Sequence, residues 1–195
     1  KHVERTKTRP LASGELNLKQ AIGLLFLLLI VSLIVALQLG FAVVMWSALA
    51  LPLVVIYPFM KRISWWPQLF LGLVFNWGAL MGWVAVRGQV EIPAILLYIG
   101  GVCLTLGYDT IYAHQDKVDD VRIGVRSTAL RLGDNTKIFV SIMYALAIIC
   151  FASASNNFYS LFFLTPAALH CAWQVQILDI NSPELAKRIF LSNIW

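Results

Sequence analysis

Long apolar runs that are almost free of charge constrain this chain more than any other feature. Six such runs can be recognised, at 21–38, 41–57, 67–86, 92–112, 138–155 and 158–178. A helix needs about 20 predominantly apolar residues to cross the hydrocarbon core of a bilayer. Only 13% of the 195 residues are charged, whereas about 25% is usual for a soluble domain. The sequence therefore predicts an all-α, polytopic transmembrane helix bundle in a single membrane domain.

The positions of Lys and Arg predict an orientation independently of hydropathy. With six spans, fourteen of the 15 Lys and Arg residues fall on one side of the membrane, and Arg87 is the exception. Positively charged loops remain on the cytoplasmic side. That side is therefore predicted to be cytoplasmic, or to face the matrix in a mitochondrion. The net charge of +5 then reflects topology and attraction to lipid head groups, and nucleic-acid binding is not expected.

Acidic residues are concentrated in the segment 108–128, YDTIYAHQDKVDDVRIGVRST. If one helix continues through it, Asp109, Asp116 and Asp120 share a face at the membrane mouth, and Asp119 lies about 80° away. Carboxylates so close repel one another unless a cation lies among them. Hard oxygen ligands without a nearby His/Cys set favour Mg²⁺, bound together with substrate phosphates. Asp116 and Asp120 are the predicted metal ligands, and all three face-sharing Asp residues are catalytic candidates. A solvated loop is the alternative reading.

Basic side chains suited to a polyanion lie on the same side of the membrane as these acids. Each alone is explained as a topological anchor, but together with a metal site they predict a diphosphate pocket. A polar amide inside a span is costly and often functional, which adds Asn76. The candidate substrate-binding residues are Arg5, Arg9, Lys61, Arg62, Asn76, Tyr112 and Arg126.

Glycines predict local geometry at two places. Gly124 is expected to end the helix after the acidic run, so that Arg126 folds back toward the membrane mouth. Gly78 and Gly82 have the small-xxx-small spacing that lets helices approach closely in lipid. Chance is the alternative explanation of that spacing.

Four segments carry a resemblance to a known family. They are VERTKTRPLASG at 3–14, YPFMKRISWWPQLFLG at 57–72, FNWGALMGW at 75–83 and the acidic segment. Together they resemble the UbiA superfamily of intramembrane aromatic prenyltransferases, over essentially the whole chain. The likeness is greatest to members that act on 4-hydroxybenzoate in ubiquinone biosynthesis. It implies a nine-helix bundle in which two Asp-rich motifs hold Mg²⁺ and a polyprenyl diphosphate, the second motif matching Asp116 and Asp120.

The chain also departs from the family pattern. Family members carry a first Asp-rich motif directly before a segment like VERTKTRPL, whereas this chain begins at Lys1. A further apolar stretch starts at Ile189 and is cut short at Trp195. The expectation is six full spans of a nine-helix fold. Activity is then expected of a longer parent protein, because the fragment alone would lack half of its metal ligands.

The reaction implied by the resemblance is Mg²⁺-dependent transfer of a polyprenyl group from polyprenyl diphosphate to the ring of 4-hydroxybenzoate. Phe75, Trp77 and Trp83 are candidates for stabilising an allylic cation through their ring faces, and packing in the span is the alternative. Three alternative functions remain. The protein could be a prenyltransferase for another aromatic acceptor, a cation transporter or a scaffold subunit. The expected location is a bacterial inner membrane or a mitochondrial inner membrane, and the sequence indicates no protein partner.

Overall fold

The computed structural model describes residues 9–155, 157 and 159–194, without the side chain of residue 160. All regular structure within these residues is helical, which confirms the predicted all-α class. Short 3-10 turns occupy Tyr57–Phe59, Gly133–Asn135 and Ser192–Ile194. The α-helices are α1 (Pro10–Ser13), α2 (Leu18–Leu39), α3 (Phe41–Ile56), α4 (Met60–Ile63), α5 (Pro67–Phe75), α6 (Trp77–Arg87), α7 (Ile92–Ala113), α8 (Lys117–Ile123), α9 (Thr128–Leu132), α10 (Thr136–Ala154), α11 (Tyr159–Ile177) and α12 (Pro183–Leu191).

Among the described residues, five helical stretches are long and apolar enough to cross a membrane. They are Leu18–Leu39, Phe41–Ile63, Pro67–Arg87, Ile92–Ala113 and Thr128–Ala154. Large apolar side chains point outward along the first two, an exposure that lipid accepts and water does not. The chain is therefore a helical membrane protein.

Helix α11 has 19 residues but is not among these five stretches. Its second half contains His170, Gln174 and Gln176, whose polar side chains lower its mean hydropathy. The sixth span consequently remains a prediction.

Two helix boundaries differ from those expected from hydropathy. The fifth stretch begins at Thr128, ten residues before the predicted 138, because α9 and a 3-10 turn lead into α10. The last helix begins at Pro183, where the Ser182 hydroxyl accepts a hydrogen bond from the Leu185 N–H, and not at Ile189. Charged residues in its first two turns conceal it from an apolar search.

The third span is broken at Asn76, between α5 and α6. The Asn76 side-chain amide donates to the Gly72 carbonyl oxygen and to the Thr105 hydroxyl, both at 2.8 Å. A Cβ on Gly101 would overlap the Asn76 side chain, so α7 presents a glycine at this contact. The polar residue in the span thus joins two helices at the break.

Helix α7 lies at the centre of the bundle, with half of its span buried against α5, α10 and α12. Close packing leaves no room for a Cβ at Gly100 or Gly107, where it would overlap Phe151 or Tyr144, and a Cβ at Gly72 would lie tightly against Val102. The close approach predicted at Gly78 and Gly82 is wrong, because no described atom lies within 4 Å of a Cβ built at either position. The tightly packed α7 carries Asp109 near its C-terminal end.

Candidate active site at the end of the central helix

The helix predicted to run unbroken through the acidic segment is interrupted. Helix α7 ends at Ala113, and α8 begins at Lys117 after a turn. The buried ring of His114 holds this turn, since its Nδ1 lies 3.2 Å from the Ile180 carbonyl oxygen and its Nε2 lies 3.0 Å from Thr136 Oγ1. Tertiary hydrogen bonds therefore redirect the chain where periodicity alone predicts a straight helix.

The turn nevertheless brings the acidic residues to one cavity of about 470 Å³. The predicted Asp109, Asp116 and Asp120 all line it, and Asp119 does so as well. The straight-helix expectation that Asp119 points elsewhere is therefore wrong, because the break at 114–116 changes the direction of α8. The full lining consists of Arg9, Tyr57, Lys61, Gln68, Leu71, Asp109, Tyr112, Ala113, Asp116, Asp119, Asp120 and Phe190.

Among the described residues, Asp120 is the most buried charged residue outside the spans. The residue is 4% exposed, and its carboxylate accepts a hydrogen bond of 3.2 Å from Lys61 Nζ. Burial raises the pKa of the Asp120 carboxyl, and the charge and hydrogen bond of Lys61 act in the opposite direction. A buried carboxylate of this kind is stabilised by any cation that approaches it.

Aromatic rings form the apolar side of the cavity. The ring of Tyr112 lies 4.3 Å from that of Phe190, centroid to centroid, and Tyr108 packs on Phe190 from outside the lining, at 5.8 Å. Tyr57 and Leu71 complete this wall. The cavity thus places carboxylates and cations beside aromatic faces, an arrangement suited to a ligand with a charged head and an apolar body.

The donor chemistry of the cavity fits a hard divalent cation. Carboxylate oxygens are its anionic groups, and Arg9 and Lys61 bring cations for phosphate. Within residues 9–155, 157 and 159–194, no three His, Cys, Asp or Glu side chains converge as a metal-binding group. Mg²⁺ is usually held by one or two carboxylates with water and substrate phosphates, so two of these Asp residues would suffice when a diphosphate is present.

Another cavity, of about 520 Å³, lies between α10 and α11. Its lining includes Ser141, Tyr144 and Cys171 among aliphatic side chains, with no carboxylate, Lys or Arg. It offers nothing to bind a polyanion. The acidic cavity brings four carboxylates together with Arg9 and Lys61, and it is the candidate active site for that reason.

Three predicted site residues lie outside the cavity lining. Arg62 is exposed, one residue after Lys61. The amide of Asn76 is engaged within the helix break. The chain does turn at Gly124, whose φ of 73° is left-handed, as predicted, but it directs Arg126 onto the neighbouring loop. Arg5 lies outside the described residues.

Arg126 holds the segment that carries Lys61. Its backbone N–H donates to the Lys61 carbonyl oxygen at 2.7 Å, and its guanidinium donates to the Ile63 carbonyl oxygen at 2.5 Å. The guanidinium also lies over the Trp65 ring, 5.3 Å from the centroid. These contacts give Arg126 a way to act on the cavity through Lys61.

The aromatic residues proposed in the third span also lie elsewhere. Phe75 is 71% exposed and is not among the residues that line the acidic cavity. The Trp77 indole N–H donates to the Trp46 carbonyl oxygen, and that of Trp83 donates to Glu91. The packing alternative describes these three residues better.

Five lining residues were not predicted from the sequence. Gln68 is 3% exposed, and its side-chain oxygen accepts a hydrogen bond from the Thr128 N–H. Its position directly after Pro67 is that of an ordinary residue in a first helical turn, so the sequence did not indicate its role. The remaining four carry no signal beyond apolarity; they are Tyr57, Leu71, Ala113 and Phe190. Packing of α5 and α12 against α7 brings Leu71 and Phe190 to the acidic segment.

Comparison with protein-family models shows a match over residues 1–195 to the model described as the UbiA prenyltransferase family. Among curated proteins, the chain is 48% identical to a protein of Arabidopsis thaliana, covering 99% of this chain and 49% of that one. It is 45% identical to one of Homo sapiens, covering 99% and 53%, respectively. Both are named mitochondrial 4-hydroxybenzoate polyprenyltransferase. The chain spans about half the length of the curated relatives it matches.

A solved structure supports the fold. The apo structure of a UbiA homolog from Aeropyrum pernix K1 superposes with a TM-score of 0.76 at 21% identity. The match covers 99% of this chain and 79% of that chain. The helical arrangement described above is therefore found in an experimental structure.

Proposed function

Because the chain belongs to the UbiA prenyltransferase family, we propose that the protein carrying this sequence transfers a polyprenyl group from polyprenyl diphosphate to the ring of 4-hydroxybenzoate. The product would serve ubiquinone biosynthesis. The relatives named for this activity support the choice of acceptor. We also propose an inner membrane as the location, mitochondrial or bacterial, with the cavity facing the matrix or cytoplasm.

The observation that carries the proposal is the composition of the acidic cavity. Carboxylates and two cations lie at the C-terminal end of α7, and Tyr57, Tyr112 and Phe190 lie beside them. A polyprenyl diphosphate matches both parts of this cavity, because its diphosphate is a polyanion and its prenyl chain is apolar.

The chemistry assigns roles to the lining residues. Breaking the bond between the allylic carbon and the diphosphate builds negative charge on the leaving oxygens. Fixed cations at Arg9 and Lys61 would stabilise that charge without reorganisation. A bound Mg²⁺ supplies further charge neutralisation, and Asp116 and Asp120 are the residues proposed to hold it. The ring faces of Tyr112 and Phe190 can stabilise positive charge left on the allylic carbon.

Water would destroy an allylic cation before the aromatic ring reacts with it. The aromatic wall of Tyr112 and Phe190 would keep water away from the allylic carbon on that side of the cavity. The carbon ortho to the hydroxyl of 4-hydroxybenzoate then forms a bond to the allylic carbon, and the ring proton leaves to restore aromaticity.

Cation transport is the alternative from another class. A transport path should attract its ion, whereas Lys61 and Arg9 place positive charge directly among the carboxylates. The geometry favours binding of an anion with its counter-ion over passage of a free cation.

Membranes containing the protein that carries this sequence provide the test. They are incubated with Mg²⁺, a polyprenyl diphosphate and radiolabelled 4-hydroxybenzoate, and the lipid-soluble product is counted. In parallel reactions, radiolabelled homogentisate or dihydroxynaphthoate replaces 4-hydroxybenzoate as the acceptor. Label in lipid from 4-hydroxybenzoate alone, abolished by a metal chelator, is expected. Efficient labelling of another acceptor and not of 4-hydroxybenzoate would contradict the proposed substrate.

A further inference from the structure

Lys61 and Asp120 form an ion pair inside the cavity. Lys61 Nζ lies 3.2 Å from Asp120 Oδ1 and 3.5 Å from Oδ2, so one ammonium group engages both carboxylate oxygens. The Asp120 side chain is only 6% exposed, whereas that of Lys61 is 44% exposed. The carboxylate is therefore fixed by its surroundings, and the ammonium has room to move away.

The ammonium group stands where a divalent cation would approach Asp120. A metal ion and an ammonium at the same two oxygens repel each other at short range, so they compete for Asp120. Metal binding at Asp120 is therefore weakened as long as Lys61 keeps this position. Asp120 loses one counter-ion as it gains another.

We propose that Lys61 is the internal counter-ion of Asp120 in the ligand-free site, so that a divalent metal binds Asp120 tightly only when a diphosphate draws the Lys61 ammonium away. This inference rests on the proposed function for its ligands. It adds that one side chain couples the binding of the metal to the binding of the diphosphate.

The structure allows such a switch in the side chain alone. The backbone of Lys61 is held by the Arg126 N–H at its carbonyl oxygen. The flexible four-carbon stem of lysine lets the ammonium turn while the backbone stays in place. Arg9 lines the same cavity, so a diphosphate would find a second cation there and would bind where Lys61 can reach it.

Coupling of this kind is reciprocal. A diphosphate that removes Lys61 from Asp120 raises the affinity for metal, and a metal that displaces Lys61 raises the affinity for diphosphate by the same factor. The site therefore binds a metal ion weakly when the metal is alone and binds it tightly when the diphosphate substrate is also present.

Binding of Mn²⁺, followed by the electron paramagnetic resonance of the free ion, tests this directly. The purified protein in lipid nanodiscs is titrated with and without inorganic pyrophosphate. Lys61→Met removes the counter-ion, and Lys61→Arg retains its charge. Lys117→Met is the matched control, because it removes a charge from the acidic helix α8 at a position outside the cavity lining.

Lys61→Met is expected to bind Mn²⁺ alone about five- to ten-fold more tightly than the wild type, with a correspondingly smaller enhancement by pyrophosphate. Lys61→Arg should remain weak for Mn²⁺ alone, and Lys117→Met should match the wild type. Unchanged or weaker binding of Mn²⁺ by Lys61→Met would overturn the inference. An equal gain in Lys117→Met would also overturn it, because net charge and not the ion pair would then set the affinity.

Prenyl transfer in the same preparations separates this inference from the proposed function. The expected Mn²⁺ pattern without transfer to 4-hydroxybenzoate supports the counter-ion and contradicts the acceptor. Active transfer with no gain in Mn²⁺ binding by Lys61→Met contradicts the counter-ion alone.

Discussion

The ring of Tyr144 packs directly on the backbone of Gly107, where a Cβ would overlap it. This contact holds α10 against the central helix two residues before Asp109. Gly107→Ala is expected to destabilise the fold by about 1–3 kcal/mol, because overpacking forces the ring or the backbone to shift. Gly78→Ala is the control, since no described atom lies within 4 Å of its new Cβ. Thermal unfolding in detergent should show a lowered Tm for the first variant only; equal Tm values would contradict the packing.

Membrane topology gives a prediction that does not depend on activity. Lys61 and Lys117 should share one compartment, and Arg87 and Asn157 should face the other, because positive loops remain inside. Single cysteines at these positions, labelled with an impermeant reagent in sealed vesicles, provide the measurement. Labelling of positions 87 and 117 from the same side would contradict the predicted spans.

The pH dependence of stability should report on His114. Burial, and secondly the charge of Lys117, lower the pKa of His114 to about 4, below the value of about 6.5 of a free histidine. The unfolded chain therefore binds a proton more readily than the folded one between these values, and stability is lost as the pH falls from 6.5 toward 4. Between pH 6.5 and 4, the Tm of the wild type should fall more steeply with decreasing pH than that of His114→Gln, and above this range the two pH slopes should agree. A wild-type slope equal to that of His114→Gln throughout would contradict the buried neutral ring.

Arg126 should influence diphosphate binding through the loop it holds. Arg126→Lys keeps the charge but cannot reproduce the planar fork that contacts the Ile63 carbonyl and covers Trp65. Insertion should be normal, with a raised KM for polyprenyl diphosphate and little change in the KM for 4-hydroxybenzoate. Unchanged kinetics would reduce Arg126 to a topological charge, and a selective loss of 4-hydroxybenzoate binding would assign it to the carboxylate of that acid.

The sequence predicted the membrane class and the acidic residues because both depend on local composition. Apolar runs need no tertiary information, and Asp109, Asp116 and Asp120 are close enough along the chain to meet even though the helix breaks. Partners from distant segments could not be foreseen. His114 breaks the helix through contacts with Ile180 and Thr136, and Phe190 reaches the cavity only because α12 packs on α7.

Asn76 shows a different limit of prediction from the sequence. A polar amide in an apolar span indicates that something must satisfy its hydrogen bonds, but it does not say whether a substrate or a neighbouring helix does so. Here Gly72 and Thr105 accept both bonds.

Prenyl transfer by variants of the acidic segment tests the central claim most directly. Asp116→Asn or Asp120→Asn keeps the shape of the side chain and removes the charge proposed to hold Mg²⁺. Product formed from 4-hydroxybenzoate and polyprenyl diphosphate should fall by about 100-fold or more, the scale expected when an electrostatic contribution to catalysis is lost, while membrane insertion persists. Asp119→Asn should be milder, because its side chain is 34% exposed and pairs with Arg122 at 3.9 Å. Near wild-type transfer by Asp120→Asn, with transfer abolished in Asp119→Asn, would contradict the account.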